Sequence, residues 1–120
     1  MTPAVPVIAA LFLAMGVVAL LKPAFVGTFF DVRFDSVDGR NEVRAVYGGF
    51  GVAMALVLWL AIQQPELRRG VFLTVALALG GMSAGRLVSA LAERPGAWPW
   101  FFCAAEATGA WLLYQASATG

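Results

Sequence analysis

A chain of 120 residues has the length of one domain, and 61% of it is hydrophobic with only 12% charged, against soluble averages of roughly 45–50% apolar and about 25% charged. The formal net charge of +1, with Lys and Arg scattered singly apart from Arg68 and Arg69, provides no basic field for nucleic acid. A single cysteine, Cys103, and no histidine exclude a disulfide framework, thiolate or imidazole zinc sites, haem attachment through paired cysteines and every histidine-dependent triad.

The composition is that of an integral membrane protein, and cutting the chain at its charges, prolines and polar clusters leaves four apolar stretches. Each is close to the roughly 20 residues that span a hydrocarbon layer. The first runs from Ala4 to Leu21 and stops at Lys22 and Pro23. It lacks a basic leading region and an A-x-A-like cleavage site, so it reads as a signal anchor rather than a cleaved signal. The stretch from Lys22 to Glu42 is a long polar loop; within it PAFVGTFFDVRFDSV alternates apolar and polar residues, as a short strand pair or an interfacial segment would.

The second span is expected over residues 43–62. QQPELRR then makes a short turn, because Pro65 cannot continue a helix and Arg68 and Arg69 suit a headgroup layer. The third is expected over 70–91, closed by AERPGA, and the fourth over 98–114, with Trp98, Trp100, Trp111 and Tyr114 as aromatic anchors. The expected fold is all-α: a single-domain, integral membrane four-helix bundle with up-down-up-down connections. Lys22, Arg33, Arg40, Arg44 and Arg94 fall on one side and Arg68 and Arg69 on the other, a bias too weak to fix orientation.

Four spans bring the strongly polar membrane residues to one end. Arg86 lies about 8 Å in from the end of the third span, and Glu106 roughly 12 Å in from the same face on the fourth. Glu42 and Arg44 open the second span at that face, with Tyr47 one turn deeper. Arg44, Tyr47, Gly48 and Gly51 recur at i, i+3, i+4 and i+7 and form one stripe. Gly81, Gly85 and Ser89 repeat every four residues, the small-xxx-small pattern of close helix packing, and Gly109 shares a face with Glu106. These small residues are expected to mark inward faces.

An unpaired charge near the middle of a membrane helix costs roughly 2.5–3.5 kcal/mol. Arg86 could snorkel to the surface, but the shorter Glu106 needs a cation, a proton or a donor. An Arg86–Glu106 ion pair is the first expectation, extended by Arg44 and Tyr47. Two readings of the cluster stay open beside a third. A buried ion pair can fix helix register. Alternatively, two arginines against one acid leave a surplus positive charge for the carboxylate or phosphate of an amphipathic ligand, such as a lipid. The third reading makes Glu106 a proton-exchanging group in a membrane enzyme or carrier.

Other features point away from chemistry. GGFG at residues 48–51 follows no strand and sits in an apolar helix, so it serves packing rather than phosphate binding. Cys103 has no histidine to activate it. Asp31, Asp35, Asp38 and Glu42 lack calcium-loop spacing and are interrupted by Arg33 and Arg40, so no metal or cofactor is expected.

The patterns RNEVRAVYGGFGVAMAL at 40–56 and GRLVSAL at 85–91, with a lone glutamate in the last helix at Glu106, resemble the bacterial membrane family named domain of unknown function 4345. The resemblance covers nearly the whole chain. It implies a small four-helix protein of the bacterial inner membrane, with Asn41, Glu42, Arg44, Tyr47, Gly48, Gly49, Gly85, Arg86 and Glu106 at motif positions, and it implies no activity. A more distant similarity extends to DoxX-like four-helix membrane proteins. The partners expected are the lipid bilayer, a lipid or other amphipathic ligand, and a larger membrane complex or further copies of the chain. An accessory subunit should show a glycine-rich face turned outward and a fully paired cluster. A ligand-binding protein should show an open pocket reaching the cluster.

Overall fold

Proline divides the chain. A residue before proline is pushed to extended backbone, and Lys22 (φ −136°, ψ 69°) and Gln64 (φ −121°, ψ 97°) take that conformation at two of the breaks between helices. A computed structural model describes residues 3–119 and consists of five helices: α1, Ala4–Leu21; α2, Pro23–Gly27; α3, Val37–Gln63; α4, Pro65–Ala92; and α5, Ala97–Thr119. Pro23 and Pro65 stand at the first helical position, where a missing N–H leaves no hydrogen bond unmade. No strand occurs among the described residues.

Three helices, α1, α3 and α4, are long and apolar enough to cross a membrane. The outward faces agree with that: Leu11 is 64% exposed, Leu77 69% and Val88 66%, apolar surface that water would penalise and lipid would not. α5 departs from the four-span expectation. It is long enough at 23 residues, but Glu106, Gln115 and its hydroxyl residues dilute the apolar run.

Element boundaries also differ from those expected. The stretch 22–42 contains no strand pair; its apolar start forms α2, and α3 begins at Val37 rather than Val43. Ser36 explains the early start, because its hydroxyl accepts the Gly39 N–H at 2.9 Å and caps the helix. The expected QQPELRR turn shrinks to Gln64, because α4 starts at Pro65 with Glu66 in its first turn, where an acid complements the helix dipole.

The described residues fall into two compact units, residues 6–59 and residues 3–5 with 60–119. In the first unit α1 and α3 meet backbone to backbone at glycines. A Cβ on Gly16 would lie 2.7 Å from the Val52 nitrogen and 2.8 Å from the Gly48 oxygen, and one on Gly51 would lie 2.9 Å from the Phe12 oxygen. A Cβ on Gly48 would press on the Leu20 side chain at 2.8 Å. Ala19, Val26 and Val43 form a small buried cluster below this crossing, covered by Phe30, Phe34 and Tyr47. The turn after α2 needs its glycine as well, because a Cβ on Gly27 would run into the Val32 carbonyl.

Within α3, residues Arg44–Gly49 form one wider π-helical turn, and the Phe50 N–H reaches five residues back to the Ala45 carbonyl. Such turns occur as local bulges in α-helices, and the adjacent Gly48 and Gly49 offer the least side-chain resistance to one.

In the second unit α4 and α5 pack together as a hairpin, joined by residues 93–96. Arg68 closes the end of α3 there: its Nε–H donates to the Ala61 carbonyl at 3.1 Å and its Nη2–H to the Ile62 carbonyl at 2.7 Å. A guanidinium thereby satisfies two of the carbonyls that a helix C-terminus leaves open.

The glycine crossing yields a first prediction. Gly16→Ala should destabilise the protein by roughly 1–3 kcal/mol, because backbone atoms on the facing helix cannot yield to a methyl group. Gly70→Ala, where a Cβ meets nothing within 4 Å, should be neutral or stabilise by up to about 1 kcal/mol through helix propensity. Thermal melts followed by circular dichroism in detergent test the contrast, and equal shifts would contradict it.

Candidate functional site

The hairpin of α4 and α5 is antiparallel, as its cross-helix neighbours show. Gly80 faces Ala110, where an added Cβ would lie 3.8 Å from the Ala110 Cβ; Leu79 Cδ1 lies 3.1 Å from a Cβ placed on Gly109. One turn further along α4, Ser83 meets Cys103. The Ser83 hydroxyl donates to the Cys103 carbonyl at 2.9 Å, and the Cys103 thiol donates to the Ser83 carbonyl at 3.6 Å. Both side chains are buried. Each polar group of this pair is met by the opposite helix, so neither is left bare in an apolar setting.

Arg86 and Glu106 form the charged part of the site. The Arg86 Nε–H donates to Glu106 Oε1 at 2.7 Å and the Nη2–H to Oε2 at 3.0 Å, a two-pronged pair that occupies both carboxylate oxygens. The guanidinium carbon also lies 5.5 Å from the centre of the Phe102 ring, one turn before Glu106, within cation–π range. The Glu106 side chain is 10% exposed and that of Arg86 25%.

Helix geometry explains how the two side chains meet. Taking Gly80 and Ala110 as level, Arg86 stands opposite Ala104 and Glu106 lies two residues further down α5, an axial offset of about 3 Å. Side chains on a helix lean towards its N-terminus. In an antiparallel hairpin, Arg86 therefore leans down and Glu106 leans up, and the long guanidinium arm closes the gap.

The remaining sequence-derived residues divide between the two units. Arg44 is exposed, and its Nε–H donates to the Leu20 carbonyl at 3.1 Å at the end of α1. Tyr47 is half-buried and stacks on Phe30 with ring centres 6.5 Å apart. Glu42 and Ser89 are exposed, and the Ser89 carbonyl accepts the Glu93 N–H that ends α4. Gly48, Gly51 and Gly109 are buried against the neighbours described above.

Gly81 and Gly85 depart from the expected inward face. Both are exposed, and a Cβ on either meets nothing within 4 Å among the described residues. The buried stripe of α4 is Phe72, Val75, Ala76, Leu79 and Ser83. Gly81 and Gly85 stand two residues beyond Leu79 and Ser83, about 200° round the helix. The regular spacing was real, but Gly80 rather than Gly81 provides the approach to α5.

Sequence reasoning missed three other participants. Gly16 is signalled as the lone glycine of the first apolar run. The Arg68 cap is signalled by a basic residue three positions after Pro65, within reach of the preceding helix end. The Ser83–Cys103 exchange has no sequence signal beyond two small polar residues in apolar helices.

Beside the ion pair, the hairpin carries an open apolar groove of about 400 Å³ floored by Ala76, Gly80, Ala84, Ala107 and Ala110 and walled by Trp111 and other large side chains. Neither Arg86 nor Glu106 lines it. No group of three or more His, Cys, Asp or Glu capable of holding a metal occurs among the described residues. Chemically, the pair offers an oriented contact of opposite charges between helices, with one Arg86 N–H on each Glu106 oxygen.

Breaking a buried pair strands a charge, at a cost of roughly 3 kcal/mol or more, whereas removing both charges costs far less. Arg86→Gln and Glu106→Gln should each lower stability on that order, and the double substitution should cost clearly less than the sum. Unfolding titrations in mixed micelles measure the cycle, and additive losses would refute coupling across the hairpin.

No curated protein and no solved structure matches the chain. One family model does, across residues 2–117 and hence nearly the entire sequence. The protein belongs to the family described as Domain of unknown function (DUF4345).

Proposed function

We propose that the protein is a non-catalytic accessory subunit of the bacterial inner membrane, with four up-down-up-down spans, whose hairpin register is set by Arg86 and Glu106. The observation that carries this reading is the closed pair itself: both oxygens of Glu106 are held by one guanidinium, at 2.7 and 3.0 Å. A pair engaged in this way orients two helices and needs no ligand. It also supports α5 as the fourth span. Its 23 residues extend about 34 Å, and the acid that interrupts its apolar run is neutralised from α4.

The open face of α4 supports a docking role. Gly81 and Gly85 are exposed, and among the described residues nothing lies within 4 Å of a Cβ on either, a surface on which a helix of a larger membrane complex can pack closely. The groove beside the pair does not include either charged residue, which weighs against an amphipathic anion held by Arg86. A proton-exchanging Glu106 has weaker support still, because a single acid with no further acid across the other leaflet makes no continuous proton path.

Gly81→Leu and Gly85→Leu separate docking from folding. Neither should lower the melting temperature of the isolated chain, since helix propensity favours leucine over glycine, yet both should reduce the size of the assembly extracted in mild detergent, read on a native gel. An assembly built only from this chain would identify a second copy as the occupant. Unaltered migration of both variants would refute the docking face.

A further inference from the structure

The first unit holds two cations at one edge of the apolar layer. α1 is apolar from Ala4 to Leu21 and is followed at once by Lys22. Counting back the roughly 20 residues of a spanning helix from Gln63, the end of α3, reaches Arg44. The two helices thus leave the apolar layer at one level, and the hydrogen bond from Arg44 Nε to the Leu20 carbonyl at 3.1 Å joins them there. Lys22 is two residues past that carbonyl.

The local electrostatics leave both charges uncompensated. The bond to Leu20 uses one of the five N–H donors of the guanidinium. Among the described residues no carboxylate pairs with Arg44 or Lys22, and neither side chain makes another hydrogen bond. Asp35 is within 3.6 Å of Arg33. Glu42 stands two positions before Arg44, a spacing at which helix residues do not face each other. Both Lys22 and Arg44 are exposed, and Leu21, which precedes Lys22 in the chain and follows the carbonyl that Arg44 holds, is 74% exposed.

We infer that Lys22 and Arg44 bind the phosphate of an anionic lipid headgroup at the end of α1, with its acyl chains along Leu21. The fixed Nε bond holds the guanidinium at the headgroup level, so its remaining donors are ordered before the phosphate arrives. Lysine adds a second, compact charge to the same anion. The site belongs to residues 6–59 and is independent of the Arg86–Glu106 pair; it rests only on the membrane-spanning reading of α1 and α3.

The test uses the full chain in nanodiscs of phosphatidylcholine doped with phosphatidylglycerol, with the retained lipid counted by native mass spectrometry. Wild type should retain phosphatidylglycerol over phosphatidylcholine. Lys22→Gln and Arg44→Gln should each lower that retention about fivefold, as expected for one basic residue near an anionic surface, while Arg69→Gln should not. Lys22 makes no side-chain hydrogen bond, so its variant keeps the test valid even if Arg44→Gln disturbs the end of α1. Displacement of the lipid by millimolar inorganic phosphate would assign the same site to soluble phosphate; persistence assigns it to the headgroup. Equal retention in wild type and both variants would overturn the site. Failure of the membrane reading itself would appear separately, as release of the chain from membranes by alkaline carbonate.

Discussion

A polar group in hydrocarbon has no water to turn to, so it must be met from within the chain, and most side-chain bonds in this protein follow from that constraint. Every buried side-chain nitrogen or oxygen among the described residues has a hydrogen-bond partner. The threonine hydroxyls of the long helices turn back onto their own carbonyls, Thr74 to Gly70 and Thr108 to Ala104. Ser83 and Cys103 exchange bonds across the hairpin, and Arg86 and Glu106 neutralise each other. Three further arginines donate to carbonyls that helices or turns leave open: Arg40 to Phe34, Arg44 to Leu20, Arg68 to Ala61 and Ile62. Among the described residues, five of the eight basic side chains, Arg33 beside Asp35 included, lie beside backbone or carboxylate oxygens.

The two units solve close packing differently. Where α1 meets α3, side chains are removed so that backbone can touch backbone, at Gly16, Gly48 and Gly51. In lipid, helices gain little from hiding apolar surface, so close van der Waals approach carries the association. Where α4 meets α5, polar exchange is added to the small-residue contact of Gly80 with Ala110. The first solution is geometric and tolerant of charge; the second fixes which residue faces which.

Much of this architecture was legible in the sequence, because its strongest signals are the apolar runs and the prolines that interrupt them. The all-helical class follows from those alone. Arg86 and Glu106 stood out as charges that apolar helices tolerate poorly, and leaflet depth was enough to bring them together as candidates. Their meeting in the hairpin depends on something a residue count does not carry: the opposite lean of side chains on antiparallel helices. The glycines divide in the same way. Gly81 and Gly85 had the stronger pattern, yet the buried face of α4 is set by Phe72, Val75 and Leu79, which spacing of small residues ignores. α3 began earlier than hydropathy suggested because a serine cap, not an apolar residue, starts it.

The wide turn at Arg44–Gly49 has a consequence in chain length. A π-turn holds one residue more than the α-helix would need to cover the same rise, so it behaves as an insertion absorbed into the helix. Remove one residue from it and the helix would regain regular winding, with everything before it swung by about 100° around the axis. Gly51, beyond the turn, would keep its place against α1, while Gly48 inside the turn would shift against Leu20 and the Arg44 guanidinium would turn away from the Leu20 carbonyl. The aim of that arginine is therefore encoded in the number of residues in the turn as much as in their identity, and an indel there would act as a rotation rather than a truncation.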